Sequence, residues 1–429
     1  MKSCTRMRKF GSCAVIGLVL STAGVADAQR NALPKSWVAT WAASPQSSAS
    51  DPEEPLTNLE DQTVRERVRV SVGGAEIRIR LSNEYGASPL VVGAVTVATP
   101  SDPANVKAGS VQSVAFGGSK TVTIPAGAPV VSDPVAFRVA DGEEISISLY
   151  LPKRAATPTA HWLALKRAVI SSHGDHTRDE KIEGGTVTTS AVLVSALLVP
   201  ATAAQRLVVA FGDSVTDGDR STVDADRNWP SELARRLRES PKGEKVAVVN
   251  EGIAGNRLLD DCFLAKVGCF GVSALARFDR DALSLPGGTH IVLLEGVNDL
   301  GFPGANIEGE MLGDAAAARS ADDLTGAYRQ LIARAHARGI KVIGATITPF
   351  EGVTVPGYYT DGKEAVRQAV NQWMRTSGAF DAVIDFDAVL RDPEHPSRLL
   401  ARFASKDHLH PNDEGYRAMA EAIDLKVFQ

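Results

Sequence analysis

Asp407 and His410 stand three residues apart, close enough on one turn for a carboxylate to orient an imidazole. An imidazole held that way can take a proton from a hydroxyl, and Ser214 offers one in the segment Gly212-Asp213-Ser214-Val215-Thr216-Asp217-Gly218. Attack of such a hydroxyl on an acyl carbonyl puts negative charge on the carbonyl oxygen, so acyl transfer also needs hydrogen-bond donors there. Two further segments supply them, Asn250-Glu251-Gly252-Ile253-Ala254-Gly255-Asn256 and Gly296-Val297-Asn298-Asp299. The candidate oxyanion donors are the backbone N–H groups of Ser214 and Gly255 and the side-chain amide of Asn298. Glycine at 255 keeps a side chain out of the path of the carbonyl. Asp213 and Asp217 suit turn and helix-start hydrogen bonding. Asp213, Arg257 and Asp299 are also candidates to orient the site or to touch substrate. His408 lacks the three-residue spacing that Asp407 and His410 share.

These segments have to be delivered to one place, and the surrounding pattern provides the means. Continuous apolar strands are expected over 207–211, 246–250, 291–294, 341–345 and 382–386, with helices over 229–237, 322–338, 363–375 and 413–423. Strands without clean alternation, most of them followed by a helix, predict a parallel sheet covered on both faces. Such sheets carry their sites at the carboxyl ends of the strands, where most of the polar motifs fall. The preceding half reads differently. From Val38 to about Pro200 the strands are short and separated by Gly, Pro, Asp and Asn turns, which predicts a β-sandwich with jelly-roll or immunoglobulin-like packing. Residues 68–72 and 77–81 alternate strictly around Gly73-Gly74 and are expected to form a hairpin. No constellation of chemistry lies in this half.

The four polar segments, in this order, resemble the SGNH family of the GDSL esterase/lipase group. The Gly-Asp-Ser block is similar to that family's first block, Gly255 to its second, Gly296 to Asp299 to its third, and Asp407 to His410 to its last. The resemblance implies an α/β fold, an SGNH-type three-layer α/β/α parallel-sheet domain. It also implies a Ser214, His410 and Asp407 triad, an oxyanion hole of Ser214, Gly255 and Asn298, and no metal or organic cofactor. The spelling around Gly255-Asn256-Arg257-Leu258-Leu259 resembles a branch that includes xylan-acetylesterase-like proteins, whose N-terminal β-domain begins near a stretch similar to Trp37 to Pro45. On that resemblance the chain is expected to be a secreted serine esterase that removes acetyl groups from an acetylated polysaccharide or oligosaccharide. The alternatives are a lipase or lysophospholipase-like esterase for longer acyl chains and a catalytically inactive carbohydrate-binding protein. A segment bounded by Cys262 and Cys269 departs from the branch pattern close to Gly255.

The 429 residues exceed what one core usually organises. The expected division is 1–28 as a signal peptide, 29–200 as a β-sandwich and 201–429 as the hydrolase domain. Lys2, Arg6, Arg8 and Lys9 precede an apolar run of about ten residues and Ala26-Asp27-Ala28, the pattern of a secretory signal cut after Ala28. That run is too short to span a bilayer, so no integral membrane segment is expected. Secretion or periplasmic location follows, and there Cys262 and Cys269 are expected to form a disulfide. The formal charge of −5 gives no electrostatic case for nucleic acid. His173, Asp175 and His176 are close in sequence, but a polar loop is the reading preferred over a metal site. Trp162 and Trp229 are read as packing residues, and His290 and His336 receive no role.

Overall fold

The computed structural model describes residues 36–48, 56–202, 205–240, 245–261, 270–307 and 309–429. Five parallel strands make the sheet that carries the polar motifs. Across the sheet they are ordered Val246–Gly252, Arg206–Gly212, Gly288–Leu294, Lys341–Ala345 and Ala382–Ile384. Gly212 pairs with Gly252 on one side and with Leu294 on the other, so three strands end level. Alternation along the Arg206–Gly212 strand sends Leu207, Val209 and Phe211 into one apolar core and Val208 and Ala210 into the other. Both faces are therefore covered, as parallel sheets require.

The helices start where side chains can take their free N–H groups. Asn228 caps Trp229–Glu239 by accepting from the Ser231 N–H, and Thr360 caps Asp361–Thr376 through Lys363. Ser320 and Asp323 form a reciprocal capping box at Ala321–His336. Trp229, Leu233, Tyr416 and Met419 bury one face of the sheet. Each such side chain contributes about 1.5–3 kcal/mol through the area it removes from water. Among the described residues no helix is long and apolar enough to cross a membrane.

Residues 36–202 form antiparallel sheets. One orders Trp37–Ala42, Val194–Pro200, Arg78–Ser82 and Pro129–Val131; another of six strands centres on Gln62–Arg69 and Glu144–Leu151. The hairpin expected around Gly73-Gly74 does not form. Gln62–Arg69 pairs with Glu144–Leu151, while Arg78–Ser82 pairs with Val194–Pro200. The two glycines instead carry the chain from one sheet to the other. A Cβ on Gly73 would sit 2.2 Å from the Val139 carbonyl oxygen, too close for any side chain.

The antiparallel and parallel regions belong to one compact unit, residues 36–429, and are joined by buried polar contacts. The Val248 N–H, on the edge strand of the parallel sheet, donates to Ser71 Oγ at 3.1 Å. The Ala39 N–H donates to the Pro286 carbonyl at 3.0 Å. Residues 1–28, read as a signal peptide, lie outside the described residues. The expected disulfide is not carried forward: among the described residues no disulfide bond is present, and Cys262 and Cys269 both lie in the stretch 262–269, outside them. Hydrogen bonds join the flanks of that stretch. The Ser273 N–H donates to Asp261 Oδ1 at 2.6 Å, and Asn256 Nδ2 donates to the Phe270 and Val272 carbonyls.

Candidate active site

Strand Arg206–Gly212 ends in a sharp turn into the four-residue helix Ser214–Asp217. Asp213 shapes the turn by accepting the Val215 N–H at 3.0 Å. Ser214, buried at the start of that helix, faces His410: Ser214 Oγ lies 2.8 Å from His410 Nε2. On the far side of the ring, His410 Nδ1 lies 2.9 Å from Asp407 Oδ2. A carboxylate partner puts the ring proton on Nδ1 and leaves the Nε2 lone pair for the serine O–H. Asp407 is itself fixed, since Oδ1 accepts from Ser405 Oγ and from the N–H groups of Leu409 and His410.

Electrostatics suits this arrangement. Burial by itself would raise Asp407, but its hydrogen bonds and the neighbouring imidazole hold the carboxyl well below the usual range. Burial would lower His410; the carboxylates of Asp219 and Asp407 overcome that and raise it, with Arg220 partly opposing. Asp219 Oδ2 lies 3.6 Å from His410 Nε2, and Arg220 Nε donates to Asp407 Oδ2 at 2.9 Å. Neither residue was singled out from the sequence. Only their place two and three residues past Asp217 could have drawn attention to them.

Gly255 and Asn298 line the same cleft as Ser214, Asp407 and His410. Gly255 has φ +75°, and a Cβ there would lie 2.3 Å from the Phe270 ring. The glycine is thus required by backbone conformation and by the ring packed on it, a stronger reason than free passage for a carbonyl. Asn298 is clamped at both ends of its amide: Nδ2 donates to the Asn256 carbonyl at 2.8 Å, and Oδ1 accepts from the Tyr358 hydroxyl at 2.7 Å. The second Nδ2 hydrogen is left for another acceptor.

Asp213, Arg257 and Asp299 lie off the cleft wall. Asp299 accepts the Leu258 and Leu259 N–H groups at 2.7 and 3.0 Å and so holds the loop that follows Gly255. Burial raises its carboxyl to about 6. Arg257 stacks over Phe302, 5.7 Å from the ring centre. Burial raises Asp213 to about 7, beside Glu295, which burial and the Asp213 charge push well above the usual range. His176 hydrogen-bonds Asp179 and the His173 carbonyl, and among the described residues no three metal-ligating side chains converge. His408 is exposed and lies outside the cleft wall; its φ is +57°.

One wall of the cleft comes from the antiparallel region. Trp162, Leu163, Leu165 and Val187 line, together with Phe270, Phe302 and Val355, a cleft of about 1050 Å³. Trp162, read from the sequence as a packing residue, lies on this wall with its ring centre 6.5 Å from that of Phe270. The preceding residue, His161, is buried and reaches Asp217.

Residues 210–418 match the family model described as the GDSL-like Lipase/Acylhydrolase family. No curated protein matches the chain. Among solved structures, a GDSL-like lipase from Bacteroides thetaiotaomicron is 19% identical, with 52% of this chain and 87% of that one covered and a TM-score of 0.36. A member of the lipolytic protein G-D-S-L family from Veillonella parvula is 20% identical, covering 51% and 95%, with a TM-score of 0.35. A variant of an acetyl-xylooligosaccharide esterase from Geobacillus Stearmophilus is 17% identical, covering 51% and 91%, with a TM-score of 0.37.

Proposed function

We propose, from the premise that residues 210–418 belong to the GDSL-like lipase/acylhydrolase family, that this carboxylic ester hydrolase works through an acyl-enzyme on Ser214. The observation that carries the reading is the unbroken chain from Ser214 Oγ through His410 to Asp407, at 2.8 and 2.9 Å, opening on the cleft. Ser214 Oγ attacks the acyl carbon as His410 Nε2 takes the hydroxyl proton. The carbonyl oxygen, now negative, is met by the N–H groups of Ser214 and Gly255 and by the Asn298 amide. His410 returns its proton to the departing alcohol. Water, deprotonated by the same imidazole, then adds to the acyl carbon and frees the acid and Ser214. Asp407 stabilises the imidazolium in both steps without being protonated.

The cleft supports an ester whose apolar part is larger than acetyl. Trp162, Leu163, Phe270, Phe302, Leu312 and Val355 offer far more apolar surface than a methyl group covers. An acetylated sugar would instead be recognised through polar groups, and those on the wall, among them Thr188, Thr189 and Arg167, are in the minority. A series of p-nitrophenyl esters from acetyl to dodecanoyl decides between the two. The expected result is a kcat/KM that rises beyond acetyl. Preference for acetyl, together with release of acetate from acetylated xylan, returns the substrate to the carbohydrate reading. Labelling by a fluorophosphonate tests the nucleophile, and labelling that persists in Ser214→Ala refutes it. The basic, apolar and small-residue pattern of residues 1–28 supports export, and a mature protein that begins at Gln29 is the expected result of N-terminal sequencing.

A further inference from the structure

Resting on the reading of the Gly255 N–H as an oxyanion donor, we infer that His161, which lies outside residues 210–418, is a positioning residue for the oxyanion hole and acts through Asp217. Asp217 closes the short helix that Ser214 opens. Its Oδ2 accepts the Ala254 N–H at 2.9 Å, and Ala254 directly precedes Gly255. One carboxylate therefore ties the turn of the nucleophile to the loop that carries the second donor. The other oxygen of that carboxylate, Oδ1, lies 3.0 Å from His161 Nε2.

The ring is held at its far side as well, with Nδ1 3.0 Å from the Ser44 carbonyl. A carbonyl only accepts, so Nδ1 carries a proton. Nε2 faces a carboxylate, so a hydrogen bond there needs a further proton, on the imidazole or on the acid. Burial lowers His161, but the Asp217 charge together with the hydrogen bonds to Asp217 and to the Ser44 carbonyl outweighs it and leaves the imidazole above its ordinary value; burial raises Asp217, with His161 partly opposing. Ser44 is anchored in turn: its Oγ donates to Glu251 Oε2 at 2.5 Å and accepts from Arg277 at 3.0 Å. Arg277 also donates to the Gly212 and Glu251 carbonyls, both at 2.8 Å. The support thus runs from the antiparallel region to the ends of two parallel strands. His161 and Asp217 are 5% and 4% exposed, so water has little access to replace the imidazole. Without it, a buried carboxylate oxygen lacks its partner and Asp217 turns to find another, releasing Ala254 and Gly255.

The test is steady-state hydrolysis of p-nitrophenyl butyrate by the mature full chain carrying His161→Ala, His161→Gln, Asp217→Ala or Asp217→Asn. His161→Ala and Asp217→Ala are expected to lower kcat by about 10- to 100-fold with KM within about twofold. Asp217→Asn recovers most of that loss, because its amide oxygen can take the Ala254 N–H while its NH₂ donates to a neutral His161 Nε2. Melting curves report whether each variant folds. If His161→Ala fails to fold, His161→Gln and the two Asp217 variants decide. Wild-type kcat in folded His161→Ala or in Asp217→Ala, or Asp217→Asn as slow as Asp217→Ala, overturns the inference; His161→Gln, whose NH₂ can donate to Asp217, is expected to lie between His161→Ala and wild type. The underlying reading fails separately: Gly255→Ala at wild-type kcat removes the oxyanion assignment whatever the His161 variants do.

Discussion

Gly255→Ala puts the oxyanion assignment under a known strain. At φ +75° an L-residue is disfavoured by about 1–2 kcal/mol relative to glycine. The added Cβ also falls 2.3 Å from Phe270 Cγ and 2.7 Å from Cδ1, so the ring or the loop must move. The ring is not free to swing, because it packs against Phe302 and Trp162 with centres 5.9 and 6.5 Å apart. The loop is held by the Ala254 N–H on Asp217 and the Asn256 N–H on the Ile253 carbonyl. Relief through the backbone turns the residue 255 peptide and withdraws its N–H. Loss of one oxyanion donor typically costs about 10²–10³ in kcat. We expect kcat for p-nitrophenyl butyrate to fall about 100-fold with KM little changed. The melting temperature should drop by a few degrees, in keeping with about 1–2 kcal/mol of strain. Phe270→Ala removes the clash but not the unfavourable φ. The double variant should therefore regain at least about tenfold in kcat while still melting below Phe270→Ala alone, a coupling expected of touching residues. Gly255→Ala at the wild-type rate would falsify the assignment, since the strain would then have been absorbed without touching the chemistry.

The acid limb of kcat/KM should have its inflection above pH 6.5. The proposed mechanism uses His410 as a neutral base, and its pKa is raised, so activity is lost as pH falls through that raised value. Asp219→Asn removes one of the charges that raise it and should move the inflection to lower pH; a shift upward refutes the role given to Asp219. Asp407→Asn should lower kcat by roughly 10³–10⁴, because the amide no longer fixes the Nδ1–H tautomer, and a loss under tenfold would show that other groups orient the ring. Trp162→Ala should reduce kcat/KM for the octanoyl ester more than for the acetyl ester, measured side by side, and equal losses would place the acyl group elsewhere. Arg367→Ala removes the 2.6 Å partner of Asp387 Oδ1 while Arg375 stays 2.6 Å from Oδ2, and should cost about 1–3 kcal/mol in urea unfolding, with kcat per folded molecule unchanged.

What the sequence carried of this site depended on how far apart the partners lie. Asp407 and His410 are three residues apart, and the strand ends that present Ser214, Gly255 and Asn298 each follow an apolar run, so pattern and local spacing sufficed. The helix boundaries came within a few residues for the same reason: caps such as Asn228 and Ser320 are local. The Gly73-Gly74 link misled because alternation reports that one face is buried and not which strand covers it. Two alternating segments around a glycine pair look alike whether they pair with each other or enter separate sheets.

His161 shows the limit most clearly. Its partner is 56 residues away, and its segment, Thr-Ala-His-Trp, has no feature that separates it from any half-buried strand. The same holds for Trp162 and Phe270, which meet only after the antiparallel region has packed on the strand ends. The proximity of Ser214, His410 and Asp407 therefore had local signals in the chain while the cleft wall had none, because the first draws on motifs of one sheet and the wall on contacts between regions. That division bears on substrate choice. If residues 36–202 supply Trp162 and Leu163 to the cleft and His161 to the support of Gly255, a change of ester preference should follow substitutions in this region with Ser214, His410 and Asp407 intact. Specificity that stays fixed under Trp162→Ala and Leu163→Ala together would assign the wall a purely architectural part.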